Sequence, residues 1–120
     1  MKIYAGQKTE HGTMVTIAEE AHQQPLPHFP FHSPSGFAWG YGGSGPADLA
    51  FAILIDHLDE HPPREGWKSR RFNEWAGDSL AYKLHQAFKW EFVATWGDAW
   101  TIDSQAIDAW VTNARQQLGE

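Results

Sequence analysis

The chain has 120 residues, a hydrophobic fraction of 42% and a formal net charge of −6. This length predicts a single domain, residues 1–120, and the apolar content excludes a disordered chain. The negative charge disfavours general binding to nucleic acids, which usually needs a basic surface, and the absence of cysteine excludes disulfides and thiolate metal sites.

No segment of the sequence resembles a membrane anchor or a secretory signal. The longest apolar run, residues 49–55, is far shorter than the roughly 20 residues that cross a bilayer. The first residues lack the apolar region of a signal peptide. We therefore expect a soluble protein in the cytoplasm, which is the host cell cytosol if a phage encodes it.

The first part of the chain predicts short strands and one long loop. Residues 3–5 and 14–17 are rich in β-forming side chains and enclose a polar turn, which indicates a hairpin. Residues 19–35 are acidic and then rich in histidine and proline, so we expect an irregular loop. Residues 36–39 predict a third strand, and residues 100–102 predict a short edge segment later in the chain.

Three helices are predicted after these strands. Residues 46–59 start with proline, carry Asp48 in the first turn and are apolar nearly all round, which is typical of a buried helix. Residues 79–96 repeat an apolar side chain every four positions and form a second helix. Asp103 or Ser104 caps a last helix, which has an apolar face.

The order of these elements indicates the fold class. Strands come first and helices later, while the polar residues 63–78 predict no regular element. We therefore predict an α+β fold, in which a small antiparallel sheet of three or four short strands carries about three helices packed on one face.

A glycine-rich stretch, residues 40–45 with the sequence Gly-Tyr-Gly-Gly-Ser-Gly, leads directly into the first predicted helix. A turn from strand to helix points backbone N–H groups at one spot, which suits an anion. The simpler interpretation is a tight turn without a ligand, where glycine is needed only for its backbone conformation. We predict that a ligand contacts this glycine turn and its neighbours, which are Trp39, Tyr41, Gly42, Gly43, Ser44, Gly45 and Ala47.

The glycine turn matches known nucleotide and nucleophile motifs only in part. It has the spacing G-x-G-x-x-G, but a dinucleotide fold needs a parallel strand after the helix, where this chain has Pro62 and Pro63. No Lys-Ser or Lys-Thr pair follows the last glycine, which excludes a P-loop. Ser44 is followed by glycine and then proline, which breaks the G-x-S-x-G pattern. We predict no catalytic residue here.

A basic segment follows the first helix. Guanidinium groups pair with phosphates and aromatic rings stack on bases, and Trp67 and Phe72 lie among these basic residues. If the segment folds beside the glycine turn, the resulting pocket suits a nucleotide better than a long nucleic acid. The alternative is a solvated patch that balances an acidic surface. The basic residues predicted to bind the ligand are Arg64, Lys68, Arg70 and Arg71.

Histidines near the end of the first helix match a zinc-peptidase pattern. His57, Glu60 and His61 form the sequence H-x-x-E-H, which supports a metal-assisted hydrolase as an alternative function. Pro62 follows His61 directly and pushes it out of helical geometry, so the two histidines should not share a face.

A second histidine pair, His28 and His32, lies four residues apart in the proline-rich loop. Two such side chains can share a divalent ion, but the prolines make the segment extended, so the spacing does not indicate a site. We predict no metal ligands and no cofactor.

Residues 37–50, which include the glycine turn, resemble an uncharacterised family catalogued as domain of unknown function 6166. The family is similar to small proteins carried by bacteria, phages and plasmids. The resemblance implies no catalytic residue, and it implies an accessory role in conflict between phage and host. Further likeness lies in Tyr4, Gly6, Phe88, Lys89, Trp100, Ile102 and Ile107.

These observations predict a non-enzymatic binding protein of the phage or mobile-element accessory type, which counters host defence. It either sequesters a small nucleotide signal or docks on a defence protein of the host and blocks it. The alternative is the metal-assisted hydrolase at His57, Glu60 and His61. Seven tryptophans are also compatible with a homo-oligomer, because homodimer interfaces are apolar.

Overall fold

A computed structural model describes residues 1–33, 35–64 and 69–119. The chain divides into two compact units, a sheet unit made of Met1–Leu26 with Asp98–Glu120 and a helical unit made of Pro27–Gly97. The assignment of one domain to residues 1–120 stays a prediction. The elements in chain order are β1 (Lys2–Thr9), β2 (Gly12–Glu19), β3 (His22–Pro25), α1 (Ser44–His57), α2 (Arg70–Asp78), α3 (Leu80–Glu91), a short 3-10 helix (Val93–Thr95), β4 (Ala99–Asp103) and α4 (Ser104–Gln117).

The sheet unit is built on one antiparallel sheet with the strand order β3-β2-β1-β4. Together with the helices, this sheet confirms the α+β class. The predicted hairpin is β1 and β2, whose turn closes where Thr9 pairs with Gly12. The edge segment predicted at residues 100–102 is confirmed as part of β4, which pairs with β1.

Alternation along the strands gives the sheet one buried face. Tyr4 pairs with Ile17 on β2 and with Ile102 on β4, and all three side chains are buried. Gly6 pairs with Trp100, and a Cβ atom at Gly6 would lie 2.4 Å from the indole ring. The glycine therefore makes room for a large buried ring on the neighbouring strand.

The last helix follows β4 without a loop. The side chain of Asp103 accepts a hydrogen bond from the backbone N–H of Ala106 and caps α4, which confirms one of the two predicted caps. The buried side chains of α4 are Ile107 and Val111, four residues apart on one face, and α4 packs against β1 and β4.

In the helical unit, α1 packs against α3, and α2 also contacts α3. Residues 45–55 of α1 are all buried, which confirms the buried helix predicted there. The helix starts at Ser44, two residues earlier than predicted, so Pro46 is its third residue. Proline is tolerated there because the first four N–H groups of a helix have no intrahelical partner. The same shift moves Asp48 beyond the first turn, so its predicted role at the helix N-terminus is wrong.

Four further predictions on secondary structure are wrong. Residues 36–39 form no strand, and the third strand is β3, inside the predicted loop. The polar stretch that predicts no element contains α2, which brings the helices to four. The second predicted helix, residues 79–96, is too long: α3 ends at Glu91, and Val93–Thr95 form the 3-10 helix.

Candidate functional site

The two sides of the glycine turn belong to the interior. Trp39 is only 1% exposed, and its indole N–H donates to the carbonyl of Gly97. Ala47 and Gly45 are buried as well. Gly40 has a φ of +87°, which favours glycine, and its N–H donates to the carbonyl of Val93. Trp39, Gly45 and Ala47 are therefore core residues, and a ligand on the surface meets only the middle of the turn.

The middle of the turn is exposed and lies between aromatic rings. The side chain of Tyr41 is 55% exposed, and that of Trp90 on α3 is 61% exposed. A Cβ atom at Gly42 would lie 2.1 Å from the Trp90 ring, so this ring lies directly against the glycine. The ammonium of Lys89 lies 4.4 Å from the Trp90 ring centroid and 3.5 Å from the carbonyl oxygen of Gly42. We call Tyr41, Gly42 and Trp90 the aromatic patch.

Three of the four predicted basic residues, Arg64, Arg70 and Arg71, lie in the described part of the chain. Arg70 and Arg71 are exposed on α2, and Arg70 pairs with Glu74 at 3.0 Å on the same helix. Lys68 and Trp67 lie outside the described residues. Arg64 lines a groove, and none of the residues that line this groove belongs to the glycine turn. The sequence led us to expect one pocket made of the glycine turn and the basic segment, and the groove around Arg64 does not include the glycine turn.

This groove has a volume of about 450 Å³ and is mostly apolar. Its walls come from the proline-rich loop, from the segment that follows α1 and from α2. We call it the His28–Arg64 groove; it is lined by Pro27, His28, Phe29, Pro30, Pro63, Arg64 and Phe72.

The proline-rich loop is held by a buried carboxylate. The side chain of Asp48, on α1, is fully buried. One of its oxygens accepts from the backbone N–H of His32 at 2.7 Å. The other accepts from the N–H of Ser33 at 2.9 Å and from that of Phe31 at 3.2 Å. Asp48 therefore fixes the backbone of residues 31–33 against α1.

The same carboxylate also holds an imidazole ring. The Nε2 of His28 lies 2.9 Å from Oδ2 of Asp48 and donates to it, because a carboxylate only accepts. The His28 side chain is 20% exposed, and its ring packs against Phe37 with a centroid distance of 4.6 Å. Burial opposes ionisation of Asp48, but hydrogen bonds from His28, His32, Ser33 and Phe31 outweigh it and lower the pKa of its carboxyl.

His32 of this loop forms a hydrogen bond with His85 of α3. The Nε2 atoms of His32 and His85 lie 3.0 Å apart. The Nδ1–H of His85 donates to the carbonyl of Tyr82, so its Nε2 accepts from His32. Burial lowers the pKa of His85 to about 4, although the hydrogen bond to the carbonyl of Tyr82 opposes this shift. Burial also lowers the pKa of His32. Both rings are therefore neutral at pH 7.

The zinc-peptidase pattern is not assembled. Glu60 accepts hydrogen bonds from Ser79 and from the N–H of Ala81, so it caps α3. His61 is exposed beside Asp59, which has a φ of +54° and ends the helix of His57. Within residues 1–33, 35–64 and 69–119, no group of three or more histidine, aspartate or glutamate side chains is placed to hold a metal ion.

The two members of the second histidine pair, His28 and His32, also have different partners. His28 is bonded to Asp48 and His32 to His85, so their ring nitrogens serve different partners. Sequence reasoning missed both bonds. One signal was present: Asp48 is the only charged residue in the buried stretch 45–55, and a buried charge needs a partner.

Comparisons with known proteins assign the family. The profile of a family of unknown function, DUF6166, matches residues 4–76 and 72–113. The chain belongs to this family, which confirms the resemblance carried by the glycine turn. Neither the curated proteins nor the solved structures gave a match. In the described part of the chain, no helix is both long enough and apolar enough to cross a membrane.

Proposed function

We propose that this protein binds a small anionic ligand with an aromatic ring, of the nucleotide class, in the His28–Arg64 groove. One observation supports this proposal above the others. The groove combines a fixed imidazole, a guanidinium and aromatic walls in about 450 Å³, which is within the usual range of pockets for small molecules.

Each side of the groove has a role in this proposal. Arg64 is exposed at the groove and pairs with a phosphate through parallel N–H bonds. Phe29 is half-buried and stacks on the base, while the buried ring of Phe72 forms an apolar floor. His28 cannot turn freely, because Asp48 holds its Nε2. The acidic net charge of −6 favours a small ligand over a nucleic acid polymer.

The proposal includes a biological role. The protein would act in the cytoplasm of a bacterial cell as a phage or mobile-element accessory protein, where it sequesters a nucleotide signal and so counters host defence. This role is supported by the resemblance to small phage and plasmid proteins and not by the groove.

A thermal-shift screen against mono-, di- and cyclic nucleotides tests the binding proposal. A nucleotide at 100 times its dissociation constant should stabilise the folded protein by about 2.7 kcal/mol. Inorganic phosphate serves as the control for binding of the anion alone. If none of the nucleotides raises the melting temperature, the groove does not bind this class.

A second candidate function is docking on a host defence protein through the aromatic patch. Two large exposed rings, Tyr41 and Trp90, lie beside one rigid turn, and aromatic side chains often anchor protein interfaces. Inhibition of a host defence pathway that is lost in Trp90→Ala but kept in Arg64→Ala would support docking. Inhibition that is kept in Trp90→Ala but lost in Arg64→Ala would support ligand binding in the groove.

A further inference from the structure

We propose that the groove is also catalytic, with His28 as the general base that hydrolyses a phosphoester or phosphoanhydride bond of the bound nucleotide. This inference rests on the proposed function, because it needs the ligand to bind in the His28–Arg64 groove.

His28 is held in a single neutral tautomer. Its Nε2–H donates to Asp48 at 2.9 Å, so in the neutral ring the lone pair is on Nδ1. Within residues 1–33, 35–64 and 69–119, no group makes a hydrogen bond to this Nδ1. The ring is therefore fixed at one nitrogen and carries a lone pair at the other, which is the arrangement of a histidine held by a carboxylate in a catalytic pair.

The carboxylate that holds His28 is itself fixed by several hydrogen bonds. Asp48 is fully buried and takes three backbone N–H groups in addition to His28. These backbone bonds already anchor the loop, so the bond to His28 is an addition to that anchoring. Asp48 is thus a positioning residue: it sets the ring orientation and stabilises the imidazolium that forms when Nδ1 takes a proton.

Hydrolysis also needs a nucleophile. The described residues that line the groove carry no hydroxyl, thiol or amine. We therefore assign the nucleophile to a water molecule from solvent. Arg64 is the only cationic side chain among these lining residues, and it supports the phosphate during the attack.

The reaction balances without any further reagent. Nδ1 of His28 takes a proton from water while the water oxygen forms a bond to phosphorus. The bond from phosphorus to the leaving oxygen breaks, and the electron pair stays on that oxygen. The imidazolium then returns its proton to the leaving group, so the imidazole is regenerated and one water is consumed.

The test measures binding and turnover separately on the full chain. Cyclic AMP, cyclic di-AMP, ATP and AMP are incubated with the protein in oxygen-18-labelled water with EDTA, and products are analysed by mass spectrometry. We expect one of them to be hydrolysed, with the label in the new phosphate oxygen. Calorimetric titration of the same nucleotides gives the dissociation constants.

The decisive variant is His28→Gln, which keeps an N–H near Asp48 but has no basic nitrogen. We expect its turnover to fall about 100-fold, in the range for loss of a general base, with a dissociation constant within about threefold of the wild type. His11→Gln is the matched control, because His11 is exposed and does not line the groove. It should keep the wild-type rate.

Each of the other outcomes overturns either the catalytic inference or the binding proposal as well. Binding without product from the wild type overturns the catalytic inference and leaves the binding proposal intact. The absence of any nucleotide binding overturns both. Activity that is lost in EDTA, or kept in a folded His28→Gln, overturns the role of His28. If that variant does not fold, turnover by the wild type in EDTA still decides whether the protein hydrolyses nucleotides.

Discussion

The Nε2 atom of His32 lies 3.0 Å from the Nε2 atom of His85, and the Nδ1–H of His85 is held by the carbonyl of Tyr82. A proton added to His85 would break this arrangement, because both of its nitrogens would then carry hydrogen. The hydrogen bond from His32 to His85, which joins the proline-rich loop to α3, therefore requires a neutral His85. Acid should weaken this link between the candidate site and the helix behind it.

The pKa of His85 predicts how stability depends on pH. The unfolded chain binds a proton near pH 6.5, whereas the folded protein does so only near pH 4. Between these values the unfolded state holds more protons, so the free energy of unfolding falls as the pH falls, by about 3 kcal/mol at most. Urea unfolding at pH 7 and pH 4.5 measures this loss.

The matched variant for this measurement is His85→Asn, which keeps an N–H near Tyr82 but does not titrate. Its free energy of unfolding should change less between the two pH values than that of the wild type. Asp48 does not interfere in this window, because its lowered pKa removes its stabilisation only below its ordinary value of 3.8. An equal pH dependence in both proteins would show that His85 is not the group responsible.

Replacing Asp48 should destabilise the protein strongly. Asp48→Ala leaves four donors around a buried site without their acceptor, and each unsatisfied group costs about 1–3 kcal/mol. We expect the free energy of unfolding, measured with urea, to fall by at least about 3 kcal/mol. Asp78→Asn, at an exposed position on α2, is the control and should stay within about 0.5 kcal/mol. Similar losses in both variants would contradict the anchoring role of Asp48.

The glycines of the turn should differ in their tolerance to substitution. A Cβ atom at Gly45 would lie 2.7 Å from the Cβ of Ala38 and 3.2 Å from its backbone nitrogen, which cannot move alone. At Gly42 it would meet the far end of the exposed Trp90 ring, which can swing away. We expect Gly45→Ala to lower the free energy of unfolding by about 1–3 kcal/mol, and Gly42→Ala to lower it by less than about 1 kcal/mol. Melting temperatures in the reverse order would contradict this packing.

Local sequence signals predicted most of the regular elements. The β1–β2 hairpin and α4 follow from alternating apolar residues and from a capping aspartate, which act within a few residues. The two missed elements lack such signals. β3 is exposed throughout, so it shows no alternation, and α2 buries only Phe72 and Ala76. The start of α2 did carry one signal, because Ser69 caps it by accepting from the N–H of Phe72.

The candidate site was harder to predict, because its bonds join distant parts of the chain. His28 and Asp48 are 20 residues apart, and His32 and His85 are 53 residues apart. No spacing rule connects them before the loop and the helices are folded together. The sequence did indicate Arg64 and the glycine turn, but it did not separate the groove around Arg64 from the aromatic patch at Tyr41.

Nucleotide binding by two arginine variants tests the central claim most directly. Calorimetric titration is carried out on the wild type, on Arg64→Ala and on Arg70→Ala, with the nucleotide that stabilises the protein most. Arg64 lines the groove, whereas Arg70 is exposed and paired with Glu74 outside it. We expect Arg64→Ala to bind at least tenfold more weakly, about 1.4 kcal/mol, and Arg70→Ala to bind like the wild type. Equal affinities in all three proteins, or no binding by the wild type, would contradict a nucleotide site in this groove.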